Sequence, residues 1–325
     1  MNKVAIATAA ALGALAAFCA WGAWVYEGEW GGYGTGDGQF RLVADVCVAA
    51  DTTVYATDWF NQRVQYFTWD GRFLGKWGSN GSGAGEFSYP GGIALNKVFT
   101  RVYLVDTFNH RIQYFTARGN YIGGWGSEGN GDGQFEQPRD VAVAPNGKIY
   151  VTDAYNDRIQ YFTPNGTFVG KWGSRGSQPG EFKLPKGVAI ASNGNVYIAD
   201  TYNNRIQYFT GNGIFLGGWG TAGERAGEFN NPVGIAVAPD TGYIYIVDNR
   251  NHRIQYFTPK GGFLGQWGSE GQGKSQFYLP TGVALKNTGT RVYVADYENS
   301  RVQYFNRNEP AVAPTSLGRV KALFR

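Results

Sequence analysis

Short apolar runs broken by Gly, Asn and Pro recur along the chain from residue 26 onward, and their length fits strands rather than helices. They come in fours. The first of a set reads Gly-Ile-Ala-Leu at 92–95 or Asp-Val-Ala-Val at 140–143, and the second Val-Tyr-Leu-Val-Asp at 102–106. The third reads Arg-Ile-Gln-Tyr-Phe at 111–115 and the fourth Tyr-Ile-Gly-Gly-Trp at 121–125. Turns such as Pro145-Asn146-Gly147 and Pro164-Asn165-Gly166 join neighbours.

The set repeats six times in register. Asp58, Asp106, Asp153, Asp200, Asp248 and Asp296 each open the pattern Asp-x-x-Asn-x-Arg, at spacings of 48, 47, 47, 48 and 48. Each Arg is followed by Val or Ile and then Gln-Tyr-Phe. Four strands per unit, six units over, predict a six-bladed β-propeller. The last unit ends after its third strand, at Arg301–Phe305, whereas an unattached fourth strand, Tyr26–Trp30, opens the chain. The N-terminal strand should therefore complete the last blade, because an open ring would expose sheet edges.

Both ends break the pattern. Residues 4–26 carry no charge between Lys3 and Glu27, long enough to span a bilayer as a helix. Trp21, Trp24 and Tyr26 cluster at the far end like an interfacial belt. The alternative is a signal peptide cleaved near Ala20-Trp21-Gly22; a lipoprotein site at Cys19 is disfavoured by Phe18 before it. The expected organisation is an N-terminal membrane anchor at 1–25, or a signal that stays uncleaved, a propeller at 26–306 and a tail at 307–325. The basic N-terminus stays in the cytoplasm, which places the propeller on the periplasmic or extracytoplasmic side. In the tail, Leu317, Val320, Leu323 and Phe324 recur at helix-like spacing among basic residues, a frayed end or a basic amphipathic arm that docks on a partner or on anionic lipid, with partner docking favoured.

Composition narrows the chemistry. Gly makes up 49 of 325 residues, without a collagen period, and aromatics make up 16%, too many for a disordered chain. A net charge of +4 does not argue for nucleic acid, and none is expected as a partner. Two Cys cannot staple a scaffold, and two His cannot make a three-His metal site.

Six copies of Asp-x-x-Asn-x-Arg-(Ile/Val)-Gln-Tyr-Phe, most preceded by Gly-(Ile/Val)-Ala, resemble the NHL-repeat family over residues 26–306. That resemblance implies the six-bladed propeller. Its members include RNA-binding modules, lyases and extracellular sensor domains, so it does not select an activity. The lyases of the family need several channel-facing His and a metal. Here His110 and His252 lie in hairpins of units two and five, which departs from that pattern.

The repeated Asp, Asn and Arg read as a structural ion pair with a turn cap, used identically in every blade. Function should lie where the copies differ. The distance from Trp-Gly to the next Phe is ten residues in all six units, so the hairpin face is regular in backbone and varied in side chain. Two residues after each Asp stand Phe60, Phe108, Tyr155, Tyr202, Arg250 and Glu298, an aromatic arc followed by a charge pair. With Trp59 they form the candidate binding face, against the alternative that the rings pack on neighbouring Gly-rich loops. Before the inner strands stand Ala44, Gly91, Arg139, Lys186, Val233 and Thr281, with Asp45 and Asp140 one position on. Asp45, Arg139, Asp140 and Lys186 are the candidate channel-mouth residues, where a small ligand would bind. No catalytic set, metal site or cofactor is expected. The reading is a non-catalytic protein-binding or scaffolding subunit of a membrane complex, with integral-membrane protein subunits as partners. The alternatives are a periplasmic sensor or module binding a peptide or glycan, and a metal-dependent lyase or hydrolase.

Overall fold

A computed structural model describes residues 23–96, 100–286 and 288–308. Six four-stranded antiparallel sheets follow one another along the chain. Blade one runs through Val43–Val48, Val54–Asp58, Arg63–Phe67 and Phe73–Trp77, from inner to outer strand. Blade two has Pro90–Leu95, Val102–Asp106, Arg111–Phe115 and Tyr121–Trp125. Blade three has Val141–Val143, Ile149–Asp153, Arg158–Phe162 and Phe168–Trp172. Blade four has Val188–Ile190, Val196–Asp200, Arg205–Phe209 and Phe215–Trp219. Blade five has Pro232–Val237, Ile244–Asp248, Arg253–Phe257 and Phe263–Trp267. Blade six takes Gly282–Leu285, Arg291–Asp296 and Arg301–Arg307 from the end of the chain and its outer strand, Trp24–Gly31, from the start. The ring closes as the unattached first strand predicts.

The apolar runs explain the layers. In blades one to five every residue of the second strand is buried, as in Val102–Asp106, because both its faces meet neighbouring blades. Outer strands such as Phe73–Trp77 alternate between half-buried and exposed. Between blades, the Trp of one outer strand lies over a turn glycine of the next. A Cβ on Gly71, Gly119, Gly166, Gly213 or Gly261 would collide with Trp30, Trp77, Trp125, Trp172 or Trp219 respectively. Those glycines also hold φ between +85° and +93°, a second reason for glycine there. Clusters such as Tyr103, Val105, Phe135, Val141, Ile149 and Phe162 span two blades, so the core is a ring of inter-blade seams.

Tyr26–Asn306 forms one compact unit. Of the flanking unit, Ala23–Val25, Arg307 and Asn308 are described, with the Arg307 guanidinium 5.6 Å over the Trp24 ring. The membrane span expected at 4–26 lies outside the described residues as far as residue 22. Its last positions need correcting: Trp24, Val25 and Tyr26 are strand, since their alternating pattern continues the closing strand. No helix among the described residues is long and apolar enough to cross a membrane. The tail from residue 309 lies outside the described residues.

Candidate functional site

The hairpin face is a hydrogen-bonded frame. In blade three, Asp153 is fully buried, and its Oδ2 accepts from Arg158 Nε at 2.6 Å and from Gln160 Nε2 at 3.0 Å. Its Oδ1 accepts from the backbone N–H of Glu136. Asn156 Nδ2 donates to the same carboxylate and to the Gly129 carbonyl. The two Nη atoms of Arg158 donate to the carbonyls of Asn130, Gly131 and Gln134. The Asp–Arg pair recurs in all six blades at 2.6–2.8 Å. The motif thus clamps the Gly-rich loop to the hairpin, the structural role expected of it.

The variable residue after Asn-x has a common duty that the sequence does not announce. Gln62, His110, Asp157, Asn204, His252 and Ser300 all sit at left-handed φ near +50°. Each accepts the backbone N–H of a residue at the start of the next blade: Tyr89, Gln137, Leu184, Asn231, Leu279 and Leu42 in turn. Both histidines accept through Nδ1, at 3.3 and 3.1 Å. Five side-chain types perform one task because it needs only a short-range acceptor.

The ring encloses two cavities that meet at a waist. The upper one, about 280 Å³, opens on the hairpin face. Arg139, Lys186, Trp59, Asp45 and Asp140 all line it, as do Asn249, Thr281 and Tyr297. The lower one, about 460 Å³, has an apolar wall of Val48, Leu95, Val143, Ile190, Val237 and Leu285, and Cys47. Cys47 is half-buried on that wall rather than enclosed in the core.

Asp45 and Asp140 border both cavities and form the waist. Each ties three blades. Asp140 Oδ2 accepts from Val188 N–H of blade four at 2.9 Å, and its carboxylate lies where a Cβ on Gly92 of blade two would be. Asp45 Oδ2 accepts from Ile93 N–H of blade two at 3.0 Å and lies over Gly282 of blade six. Both line solvent-reaching cavities yet are hemmed in by protein, and that burial raises both carboxyls. Asp140 is pushed up to about 7, against the pull of the Val188 and Val141 N–H groups. Asp45 rises well above its ordinary value through burial and then the Asp140 charge.

The upper cavity is cationic on one side. Burial depresses Arg139. Its guanidinium lies 5.6 Å from the Trp59 ring centre and 6.0 Å from that of Tyr155. Lys186 is lowered to about 8, first by burial and then by the charges of Arg139 and Arg250. Tyr297 is raised to about 12, mainly by burial.

The aromatic arc sits outside this cavity. Phe60, Phe108, Tyr155 and Tyr202 are 41–48% exposed at their hairpin tips, and Arg250 and Glu298 are exposed beside them. Phe60 and Phe108 are neither free nor packed away. Phe60 and Phe108 contact Tyr89 edge-on at 5.4 and 5.1 Å, and Trp59 contacts Tyr89 at 5.5 Å. Arg41 caps Phe60 and the exposed Tyr33. Tyr89 and Tyr297 were not among the sequence candidates. Tyr297 holds the same place after its Asp as Trp59, so comparing that position across units would have found it.

Profile comparison agrees with this geometry. The NHL repeat profile matches residues 135–162, 182–209, 229–257 and 277–305, and a profile described as a 6-bladed beta-propeller matches residues 38–126. The chain is a six-bladed propeller of NHL repeats. No curated protein matches this NHL propeller in sequence. Solved structures do match it in fold. Streptogramin B lyase aligns with TM-score 0.61 at 15% identity, over 88% of this chain and 98% of that one. A gluconolactonase from Xanthomonas campestris aligns with TM-score 0.63 at 14% identity, over 88% and 98%. Virginiamycin B lyase from Staphylococcus aureus aligns with TM-score 0.58 at 16% identity, over 82% and 96%. At such identities the likeness shows the fold alone.

Proposed function

We propose that this NHL propeller is a non-catalytic binding module, an accessory subunit that holds a protein partner of a membrane complex on its hairpin face, outside the cytoplasm. The observation that carries the reading is the arc of half-exposed rings, Phe60, Phe108, Tyr155 and Tyr202, on tips whose backbone is fixed by the repeated Asp–Asn–Arg clamp. Aromatic side chains on a rigid frame supply contact area at low entropic cost. The use of both histidines as backbone acceptors favours this over a lyase, as does the lack among the described residues of any group of three His, Cys, Asp or Glu placed for a metal. Membrane attachment rests on the uncharged run preceding the closing strand.

The test is the quadruple substitution F60A/F108A/Y155A/Y202A in the native membrane. Loss of partner co-purification with an unchanged far-UV spectrum and melting curve is expected. Undiminished co-purification would refute the aromatic face. Unfolding would reassign the rings to packing.

A further inference from the structure

We propose that the channel mouth is a binding site for an organic carboxylate, held by Arg139 and Lys186 with its apolar body against Trp59 and Tyr297. Pairing separates these two cations from the six motif arginines. All six motif arginines meet a buried Asp, whereas no ion pair among the described residues involves Arg139 or Lys186. Arg139 Nε is buried without a hydrogen-bond partner. Its Nη2 reaches the Gln137 amide oxygen at 3.3 Å, a weak contact for a guanidinium. The repeat does not require a cation there, since the equivalent positions in other blades are Ala44, Gly91, Val233 and Thr281. Two adjacent blades, three and four, therefore present like charges to one small cavity, where burial and mutual repulsion hold Lys186 down. An anion between them would relieve both effects.

The rest of the wall selects among anions. Blades one and six contribute Trp59 and Tyr297, opposite blades three and four. The amide nitrogen of Asn249 is committed to the Pro280 carbonyl and the Thr281 hydroxyl to that of Val43. Arg139 and Lys186 remain as the charged donors. The floor is the Asp45 and Asp140 carboxyls, which accept the Ile93 and Val188 N–H groups and add no cation for a compact polyanion such as phosphate. A flat monocarboxylate matches the guanidinium fork above the floor and leaves its body to the aromatic side. The volume of about 280 Å³ holds a small molecule or one inserted side chain. None of Phe60, Phe108, Tyr155 or Tyr202 lines the cavity, and Tyr155 touches the site through the Arg139 guanidinium, 6.0 Å from its ring centre.

The experiment is calorimetric titration of the full chain near neutral pH with benzoate, its neutral isostere benzamide, inorganic phosphate and the capped peptide acetyl-Ala-Glu-Ala-amide. Benzoate or the peptide should bind at least tenfold more tightly than benzamide or phosphate. K186M and R139Q should each weaken that binding at least tenfold without changing benzamide, and K186M alone serves if R139Q fails to fold. Tighter binding of benzoate assigns a free small molecule as the source, and tighter binding of the peptide assigns an acidic side chain of a partner. Equal binding of benzoate and benzamide, preference for phosphate, indifference to K186M, or no binding of either carboxylate would overturn the proposal.

Discussion

Asp140 shows how one side chain can serve architecture at the expense of its own ionisation. It bonds the backbone of blade four and occupies the space left by Gly92, and burial lifts its carboxyl to about 7 from an ordinary 3.8. Between those values the folded chain keeps a proton that the unfolded chain has released. Its contribution to stability is therefore complete below about pH 4 and is lost as pH rises through 7. Asp45 shares this behaviour, and the two titrate as a pair. Urea unfolding from pH 4 to 8 should show wild type losing stability relative to D140N, on the order of 1 kcal/mol per pH unit up to about pH 7 and levelling off above it. Parallel curves would show a carboxyl that ionises normally. The place of Asp45, Arg139, Asp140 and Lys186 around the channel was legible because the repeat supplies a register. The waist was not, because a sequence shows Gly92 and Gly282 as ordinary glycines rather than as room for a carboxylate from the neighbouring blade. Nor does it show that Gln62, His110 and Ser300 do the same job, since chemical identity differs where geometry is shared.

At the scale of the hairpin, the clamp rather than turn propensity fixes the hairpin face. Asp153 gathers donors from Arg158, Asn156, Gln160 and the Glu136 backbone at a fully buried site. D153N removes the charge that balances Arg158, itself 6% exposed, and should cost about 3 kcal/mol. A urea midpoint unchanged within error would show that the loop carbonyls around Arg158 suffice without the carboxylate. Strands were legible to the residue in several places, Val102–Asp106 and Arg111–Phe115 among them, because Val-Tyr-Leu-Val is an unbroken apolar run and Arg-(Ile/Val)-Gln-Tyr-Phe recurs in register in every unit. The contacts of Tyr89 were not, because the one with Phe60 crosses a blade seam and the one with Phe108 joins two loops of blade two distant in register.

The whole propeller depends on its closing strand. Trp30 packs against Phe67 of blade one and Tyr293 and Tyr304 of blade six, with ring centres 5.6–5.9 Å apart. Glu29 meets Arg301 at 2.9 Å but is 37% exposed, so that pair contributes little. W30A should cost about 3–5 kcal/mol and increase proteolysis at the blade-six seam, while E29A should change stability by less than about 1 kcal/mol. Equal effects would show that the ring is not locked by this seam. The closed ring presents one face of rigid hairpins, and the central claim is that this face holds a protein partner. Its most direct test is gentle detergent extraction of the wild-type chain from native membranes, followed by native mass measurement. The account predicts co-migration with a defined membrane complex, lost in F60A/F108A/Y155A/Y202A. A wild-type particle that runs alone at its own 35.5 kDa, apart from detergent, would contradict it.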